Sequence, residues 1–306
     1  MLRYVLRRLL QLVPTLLLVS AVVFAMLRLM PGDPAEVLAG QDATPEIVQE
    51  IRARWGLDRP LPAQYGAYVA SLARGELGAS IRGHQPVLDE IARRLPATLL
   101  LGFTAIGVAF LVGLVLGGLA AVFAGRWPDI VLLLLALLGV SAPTFWLGLL
   151  LVLVFAVSLG WLPVAGSDGW THLVLPAATL VPQSLAVFAR LSRSTLLDVL
   201  GEDYVRTAVA KGAGAGAVLW RHALRNALIP PVTFVGLEFG RMLGGIIAVE
   251  TIFAWPGVGK ALVDAINGRD FPMIQGLVLT FAALFALVNL IVDVLNGVID
   301  PRVRYG

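Results

Sequence analysis

The chain has 306 residues, of which 58% are hydrophobic and 14% charged, with a formal net charge of +3 and no cysteine. This composition is too apolar for a soluble domain, and it excludes disulfides and thiolate metal sites. The basic residues are scattered, which argues against a nucleic-acid-binding surface. Two stretches without a charged residue, 96–125 and 130–167, are each long enough to cross a membrane. They indicate an integral membrane protein.

Six apolar segments predict six transmembrane helices, so the expected fold class is all-α. The first segment, residues 9–30, follows three arginines, and a signal peptide is the alternative there. It is longer than a signal-peptide core, and the turn residues "MPGDP" at its end do not form a small-residue cleavage site. It is therefore interpreted as a span. The predicted spans cover 9–30, 97–125, 130–158, 173–190, 228–252 and 273–294.

The distribution of basic residues predicts the orientation of the spans. Short segments on the side of the N-terminus carry twelve arginines and lysines, whereas short segments on the other side carry only Lys260 and Arg269. Because basic residues accumulate in cytoplasmic loops, both termini are expected in the cytoplasm. The long segment 31–95 is left out, since long loops cross regardless of charge. The twelve are Arg3, Arg7, Arg8, Arg126, Arg190, Arg193, Arg206, Lys211, Arg221, Arg225, Arg302 and Arg304.

The segment 31–95 is soluble-looking and is expected to form a helical extracytoplasmic loop between the first two spans. The sequence Thr44-Pro45-Glu46 is a helix start, so a helix is expected to run to about Trp55. Amphipathic patterns predict two more helices, over 62–72 and 86–95. The expected division is an N-terminus with the first span (1–30), the loop (31–95), and a membrane core (96–306) with a cytoplasmic loop at 190–228.

Proline and glycine mark three of the predicted spans. The fourth contains Pro176 and Pro182, which remove backbone hydrogen bonds and bend a helix. It is interpreted either as a kinked packing helix or as a helix that lines a passage. Glycines recur at four-residue spacing in spans two and five, which places them on one face and allows close helix packing. They are Gly113, Gly117, Gly118, Gly236, Gly240, Gly244 and Gly245.

A polar stretch, residues 202–231, separates the fourth and fifth spans. The acidic pair Glu202–Asp203 favours a helix start, good helix formers fill 204–211, and Gly212 is expected to end that helix. Helical patterning resumes at 218–228. The pattern predicts a helix, a glycine hinge and a second helix on the cytoplasmic side. Such an element is suited to binding by another protein, and the alternative is a solvated basic loop near anionic lipid.

The sequence "RTAVAKG" (206–212) resembles the EAA loop of bacterial ABC importer permeases, and "EDYVRTAVAKG…VLWRHALRNALIP" resembles the dipeptide, oligopeptide and nickel permease family. There are two departures. Arg206 stands where the generic loop begins with a glutamate, and "AGAGA" at 213–217 weakens the second helix, which is expected to order only against a partner. Further matches lie along nearly the whole chain: "MPGDP" (30–34), "GLDRPLPAQY" (56–65), "RGELGAS" (74–80), "SAPTFW" (141–146), "ETIFAWPGVG" (250–259), "RDFPMIQG" (269–276) and "DPR" (300–302).

The resemblance implies a permease subunit in the inner membrane of a bacterium. Its implied partners are a second permease, two ATPase subunits and an extracytoplasmic solute-binding protein. ATP and Mg²⁺ are expected on the ATPases, and this chain is expected to bind no cofactor. Relatives handle peptides, nickel chelates, glutathione and sugar oligomers, so the solute stays open. The loop residues expected to dock on an ATPase are Glu202, Asp203, Tyr204, Arg206, Thr207, Ala208, Ala210, Lys211 and Gly212.

Charged residues inside the predicted spans are candidates for a translocation pathway. Glu238 and Arg241 lie near the middle of the fifth span, three residues apart and so on one helical face. Because a charge at that depth costs about 2.5–3.5 kcal/mol, each is expected to face a partner or water. They could form a neutralising structural pair, or they could meet the ammonium and carboxylate of a zwitterionic peptide. Asp293, Ser141 and Pro143 are further pathway candidates.

The segment 250–272 resembles an outer gate or a contact surface for the binding protein. Trp255 and Trp161 are suited to the aromatic belt at a membrane interface. Glu250, like Asp293 in the sixth span, could equally be a structural hydrogen-bond acceptor. The candidates for the gate or contact are Glu250, Trp255, Pro256, Gly257, Arg269 and Asp270.

No catalytic or metal site is predicted. The sequence "AWPGVGKA" resembles a phosphate loop, but Ala254 replaces its first glycine and Ala261 replaces the magnesium-binding hydroxyl. The three histidines are too far apart in sequence for metal ligation, and no Ser, His and Asp grouping suggests a nucleophile. The main alternative to an ABC permease is an ion-coupled secondary carrier that uses Glu238 and Asp293, followed by a scaffold or channel.

Overall fold

The computed structural model describes residues 2–29, 35–36, 43–54 and 56–299. In this part of the chain the regular structure is helical, apart from an isolated β-bridge between Ala79 and Pro86. The predicted all-α fold is confirmed for these residues. The motifs "MPGDP" and "DPR", together with Arg302 and Arg304, lie outside them.

The described residues form the following helices in chain order. A π-helical segment, Val152–Ser158, continues α6, and a second one, Val218–Ala223, joins α9 to α10. The helices are α1 Leu2–Leu29, α2 Pro45–Arg54, α3 Leu61–Ala73, α4 Val87–Val122, α5 Trp127–Ser141, α6 Thr144–Leu151, α7 Thr171–Leu200, α8 Asp203–Ala210, α9 Ala215–Ala217, α10 Leu224–Ala227, α11 Ile229–Ile252, α12 Val258–Asn267 and α13 Phe271–Ile299.

Several of these helices are long and apolar enough to cross a membrane. Within the described residues there are 4 such segments, or up to 5 if a bent pair of helices counts as one span. The apolar part of α1, Leu10–Met26, is shorter. An integral membrane protein is therefore supported, while the count of six spans and their orientation stay predictions. The 4 segments are Val87–Val122, Thr171–Leu200, Leu224–Ile252 and Phe271–Val294.

The predicted third span, 130–158, is not one continuous helix. It is divided into α5 and α6, and the two halves are bent by 100°. Pro143 causes the break, because its ring forces the preceding residue out of the helical conformation. Ala142 accordingly has an extended backbone (φ −85°, ψ 129°). Pro143 was expected to be a pathway residue, and the helix break that it causes was not predicted.

The helices predicted in the loop 31–95 form, with one difference. α2 and α3 match the expected helices at 45–55 and 62–72. A backbone hydrogen bond and the Thr44 side chain lower the pKa of Glu46, as expected at a helix start. The expected helix 86–95 is not separate, because α4 continues through Pro96 to Val122. The pairs of Glu90 with Arg93 and Arg94 stabilise its first turns.

The structure divides into two compact units, and α4 and α13 contribute residues to both. One unit comprises Leu2–Pro96 and Gly257–Ala286. There, α1 and α3 are joined by aromatic contacts of Phe24 with Tyr65 and Tyr68, and the Tyr65 hydroxyl lies 2.9 Å from that of Ser20. Buried Val87, Ile91 and Leu277 belong to its core.

The other unit comprises Ala97–Pro256 and the residues from Leu287 onward, and α7 is its central helix. α7 packs against α5, α6 and α11. It is longer than the expected span 173–190, so Arg190 and Arg193 lie in the helix rather than in a loop. Pro176 is fully buried on it. The structure therefore favours the packing interpretation of this proline-containing helix.

Glycines on α4 allow the close approach of α7, as the sequence predicts. A Cβ atom at Gly113 would lie 2.7 Å from Cβ of Phe188, and one at Gly117 would lie 2.8 Å from Cβ of Ser192. A Cβ atom at Gly118 or Gly244 would have no neighbour within 4 Å. Only part of the glycine pattern therefore serves helix packing.

We expect Gly117→Ala to destabilise this unit and Gly118→Ala to leave it unchanged or slightly more stable. Overpacking at Gly117 costs about 1–3 kcal/mol, whereas alanine at Gly118 gains up to about 1 kcal/mol of helix propensity. The apparent melting temperatures of the two variants in detergent provide the measurement. Equal melting temperatures would contradict the packing role of Gly117.

Candidate functional site

The predicted docking element begins with a well-formed helix, α8. Glu202 precedes it with an extended backbone (φ −70°, ψ 147°), and Asp203 is the first-turn acid. The Thr207 hydroxyl donates to the Asp203 carbonyl (2.9 Å), and Arg206 pairs with the Asp203 carboxylate at 3.6 Å. Both charged side chains of this pair are exposed. The pair therefore contributes little to stability.

Gly212 ends α8 in the way that the sequence predicts. Its φ is +85°, in the left-handed region that glycine adopts without strain. The amide of Gly212 donates to the Val209 carbonyl (2.9 Å), and the amide of Ala213 donates to the Ala208 carbonyl (3.1 Å). These two bonds form a Schellman motif. The chain direction after α8 is thus fixed by backbone hydrogen bonds.

The second half of the element is helical from Ala215 to Ala227, with the π-helical segment in its middle. The glycine-rich stretch therefore does not prevent helix formation in this chain. The Asn226 amide donates to the Tyr204 hydroxyl (2.8 Å), which links the second half to α8.

A small apolar cluster attaches the element to the end of α7. It consists of the buried residues Ala121, Leu196, Ala223 and Ala227. The Thr195 hydroxyl of α7 donates to the Ala227 carbonyl at 3.0 Å. Because alanine has no flexible side chain, the backbones approach closely and the attachment is tight.

The remaining surface of α8 is exposed. Val205 alone among the described residues of α8 is buried, and Ala208 is half-buried. Val209 is 56% exposed, although it is apolar. Val209 was not among the docking residues predicted from the sequence. The exposed docking candidates are Glu202, Asp203, Tyr204, Arg206, Thr207, Ala210, Lys211 and Gly212.

An ion pair between a buried aspartate and a partly exposed arginine joins the start of α5 to α7. Two nitrogens of the Arg193 guanidinium donate to the two carboxylate oxygens of Asp129, each at 2.6 Å. The Gly125 amide also donates to Asp129 (3.0 Å). This pair was not predicted from the sequence, because 64 positions separate its members. Only the placement of Asp129 beside a charge-free run could have suggested it.

The structure brings Glu238 and Arg241 together inside α11. A nitrogen of the Arg241 guanidinium donates to one oxygen of Glu238 (2.9 Å), and the Ser184 hydroxyl of α7 donates to the other (3.3 Å). The Glu238 side chain is 5% exposed, whereas that of Arg241 is 65% exposed. The carboxylate is thus held inside the unit, and the guanidinium faces outward.

The other pathway candidates lie apart along the chain. Ser141 is exposed at the end of α5 and donates to the Leu137 carbonyl (3.1 Å). Pro143 is exposed at the break before α6. Asp293 is half-buried on α13. No described contact gathers these three residues into one site.

Two of the outer candidates are buried hydrogen-bonding groups. Glu250 accepts a hydrogen bond from the Thr98 hydroxyl (2.6 Å) and is fully buried. Trp255 is also buried, and its indole nitrogen donates to the Ala97 carbonyl (2.9 Å). Trp255 therefore does not occupy the interface-belt position expected from sequence, because its indole is bonded within the unit. Trp161, by contrast, is 69% exposed.

Asp270 organises the turn before α13. Its carboxylate accepts from the Ser80 hydroxyl (2.5 Å), the Ile81 amide (3.2 Å) and the Met273 amide (3.3 Å). Asp270 is buried, as is Gly257, whereas Pro256 and Arg269 are exposed. Of the six outer candidates, these two exposed residues are available for a contact with another protein.

The long apolar helices, together with the few charged side chains that they contain, are typical of a protein that crosses the membrane several times. Within the described residues, no group of three His, Asp or Glu side chains could hold a metal ion. Residues 113–305 match the family of binding-protein-dependent transport system inner membrane components, and residues 1–102 match the N-terminal region of such membrane components. The chain belongs to this family.

Relatives extend the match to the whole chain. It is 48% identical over 305 residues to the glutathione transport system permease protein GsiC of Escherichia coli O6:H1, and likewise 48% identical to that of Salmonella choleraesuis. Identity to the protein of Escherichia coli K12 is 47%, and in each case 100% of both chains is covered. The chain is thus a permease subunit of an ABC importer and a transport component rather than an enzyme. The alternative of a secondary carrier is set aside.

We expect Gly212→Ala to loosen the end of α8 and Gly216→Ala to have no such effect. A left-handed conformation costs alanine about 1–2 kcal/mol, whereas Gly216 lies in a helix with open space around it. Hydrogen exchange of the amides from Val209 to Ala213 provides the measurement. Exchange should accelerate several-fold in the first variant only, and unchanged exchange there would contradict the Schellman cap.

Proposed function

We propose that this chain carries glutathione, or a similarly small peptide, across the inner membrane. The full-length identity of 47–48% to permeases named for glutathione transport supports this solute. We propose a complex with a second permease, two ATPases that hold ATP and Mg²⁺, and a solute-binding protein that delivers the peptide. Dipeptides and longer peptides are the next candidates.

We propose further that α8 is the docking site of an ATPase. The observation that carries this proposal is an exposed helix that is hydrogen-bonded, through Tyr204 and Asn226, to a second half whose buried alanines pack against α7. A push on α8 would be transmitted to α7 and from there to α5, α6 and α11, which pack against it. A rigid connection suits this task, because a flexible loop would absorb the displacement. Reciprocal coupling then links nucleotide state to the state of the pathway.

We propose that the chain crosses the membrane six times and that both termini lie in the cytoplasm. In this arrangement residues 31–95 face outward and 190–228 face the cytoplasm, with 96–306 as the permease core. Arg241, Asp293, Ser141 and Pro143 are proposed to line the pathway, and the predicted pathway residue Glu238 is proposed to support it from a buried position. Glu250, Trp255, Gly257 and Asp270 are proposed to support an outer gate from within, and Pro256 and Arg269 to contact the binding protein.

Single cysteines test the orientation, since the chain has no cysteine of its own. We expect Ala73→Cys and Asp168→Cys to react with a membrane-impermeant maleimide in spheroplasts, whose inner membrane is intact. Ala124→Cys and Ala210→Cys should react only after permeabilisation. All four positions are exposed. If α5 and α6 re-entered the membrane from one side, Asp168 would label like Ala124, and the six-span arrangement would be wrong.

We expect Arg206→Glu to uncouple ATP hydrolysis from uptake, because it reverses a charge on the exposed face of α8. Uptake should fall about tenfold, equivalent to ~1.4 kcal/mol of interaction, while basal ATPase activity persists. Arg126→Glu is the matched control, since Arg126 is exposed in another segment predicted to be cytoplasmic. Equal uptake by both variants in proteoliposomes would contradict the proposal that α8 docks on an ATPase.

Uptake of labelled solutes tests the substrate. The complete complex should accumulate glutathione in an ATP-dependent and vanadate-sensitive manner, and its binding protein should bind glutathione in preference to nickel chelates and sugar oligomers. Accumulation of one of those other solutes in place of glutathione or a short peptide would contradict the proposed substrate.

A further inference from the structure

Within one unit, α11 and the part of α4 from Ala97 onward expose different kinds of surface. The exposed side chains of this part of α4 are large and apolar, as in Phe103, Leu111 and Val115. Such a surface suits lipid. In α11 a stripe at three- and four-residue spacing leads from Arg241 through exposed Gly244 and half-buried Ala248 to exposed Thr251. From Arg241 to Thr251 this second surface consists of small and polar residues with one cation, whereas nearer the start of α11 Val232 and Leu237 are exposed.

The stripe on α11 does not suit contact with lipid. An arginine at the centre of a span costs about 2.5–3.5 kcal/mol when it faces hydrocarbon, and the Arg241 side chain is 65% exposed. Arg241 is also too far from either end of α11 to reach the membrane surface easily. The guanidinium therefore faces water or another subunit.

Glu238 and Arg241 differ in what they can offer a ligand. One carboxylate oxygen of Glu238 accepts from Arg241 and the other from Ser184, and the group is buried. The guanidinium has five N–H donors, and the hydrogen bond to Glu238 uses only one of its nitrogens. An incoming ammonium would find Glu238 inaccessible, whereas an incoming carboxylate would find free donors on Arg241.

We propose that Arg241 binds a carboxylate of the transported peptide within the pathway. Glu238 is a positioning residue, which Ser184 holds in place and which fixes the direction of the guanidinium. A planar guanidinium binds a carboxylate through two parallel hydrogen bonds, and this geometry favours a carboxylate over a neutral amide. The inference rests on the proposed function, because it assumes a peptide substrate, and it replaces the expectation that both charges meet a zwitterion.

The experiment compares free peptides with their amides in the complete complex, reconstituted in proteoliposomes with its binding protein. The probes are glutathione, its two single-carboxyl amides, and dialanine with its C-terminal amide. The wild-type complex should take up each free acid faster than the corresponding amide. In Arg241→Gln the ratio of acid to amide uptake should fall roughly 10- to 100-fold for at least one pair, which corresponds to loss of a charged hydrogen bond.

The controls separate recognition from a structural role. The binding protein is the same in every reaction, so its own preference cancels from the comparison of variants. Arg241→Lys should retain part of the preference, because it keeps the charge and loses the planar donors. Glu238→Gln should raise the KM for the free acid more than it lowers kcat. An unchanged acid-to-amide ratio in Arg241→Gln would overturn the proposal.

Two other outcomes are distinguishable. If Arg241 pairs instead with the second permease, Arg241→Gln should weaken copurification of that subunit and leave the ratio unchanged, which overturns the carboxylate assignment alone. If wild-type complex takes up neither glutathione nor dialanine while its ATPase is active, the proposed peptide function fails, and the inference fails with it.

Discussion

The membrane core depends on one constraint, which is that hydrocarbon does not hydrate charge. Each of three acidic groups in or beside the spans is therefore satisfied by a specific donor. Asp129 is held by Arg193, Glu238 by Arg241 and Ser184, and Glu250 by Thr98. These contacts join α4, α5, α7 and α11. They fix which helix faces meet, since apolar side chains alone would pack in several ways.

Close packing around α7 explains how this helix can connect the docking element to the membrane helices. Its buried face receives the glycines of α4, and its end packs against the small apolar cluster that holds the second half of the docking element. Close backbone packing makes this connection stiff, because few rotatable side chains lie between the helices. The Asp129–Arg193 pair adds α5 to it. A displacement of α8 would therefore move several helices together.

Local features of the chain were predicted well. The start of α2, the end of α8 at Gly212 and the bounds of α11 each depend on residues within a few positions of one another, so propensity and capping suffice. The break at Pro143 was equally local and was overlooked. The pairing of Asp129 with Arg193 and the burial of Trp255 were not foreseen, because they depend on contacts between distant segments. For the candidate site, sequence identified Glu238 and Arg241 but not their unequal exposure.

The sequence by itself determined that the protein is helical and membrane-embedded, and that residues 202–212 form a helix closed by glycine. These properties follow from composition and from interactions between near neighbours along the chain. Only the tertiary structure decided which polar side chains are buried and hydrogen-bonded inside the unit and which stay exposed. Glu250 and Glu238 are buried and hydrogen-bonded, whereas Arg241 is exposed, because the neighbours that cover or leave open each side chain come from helices remote in sequence.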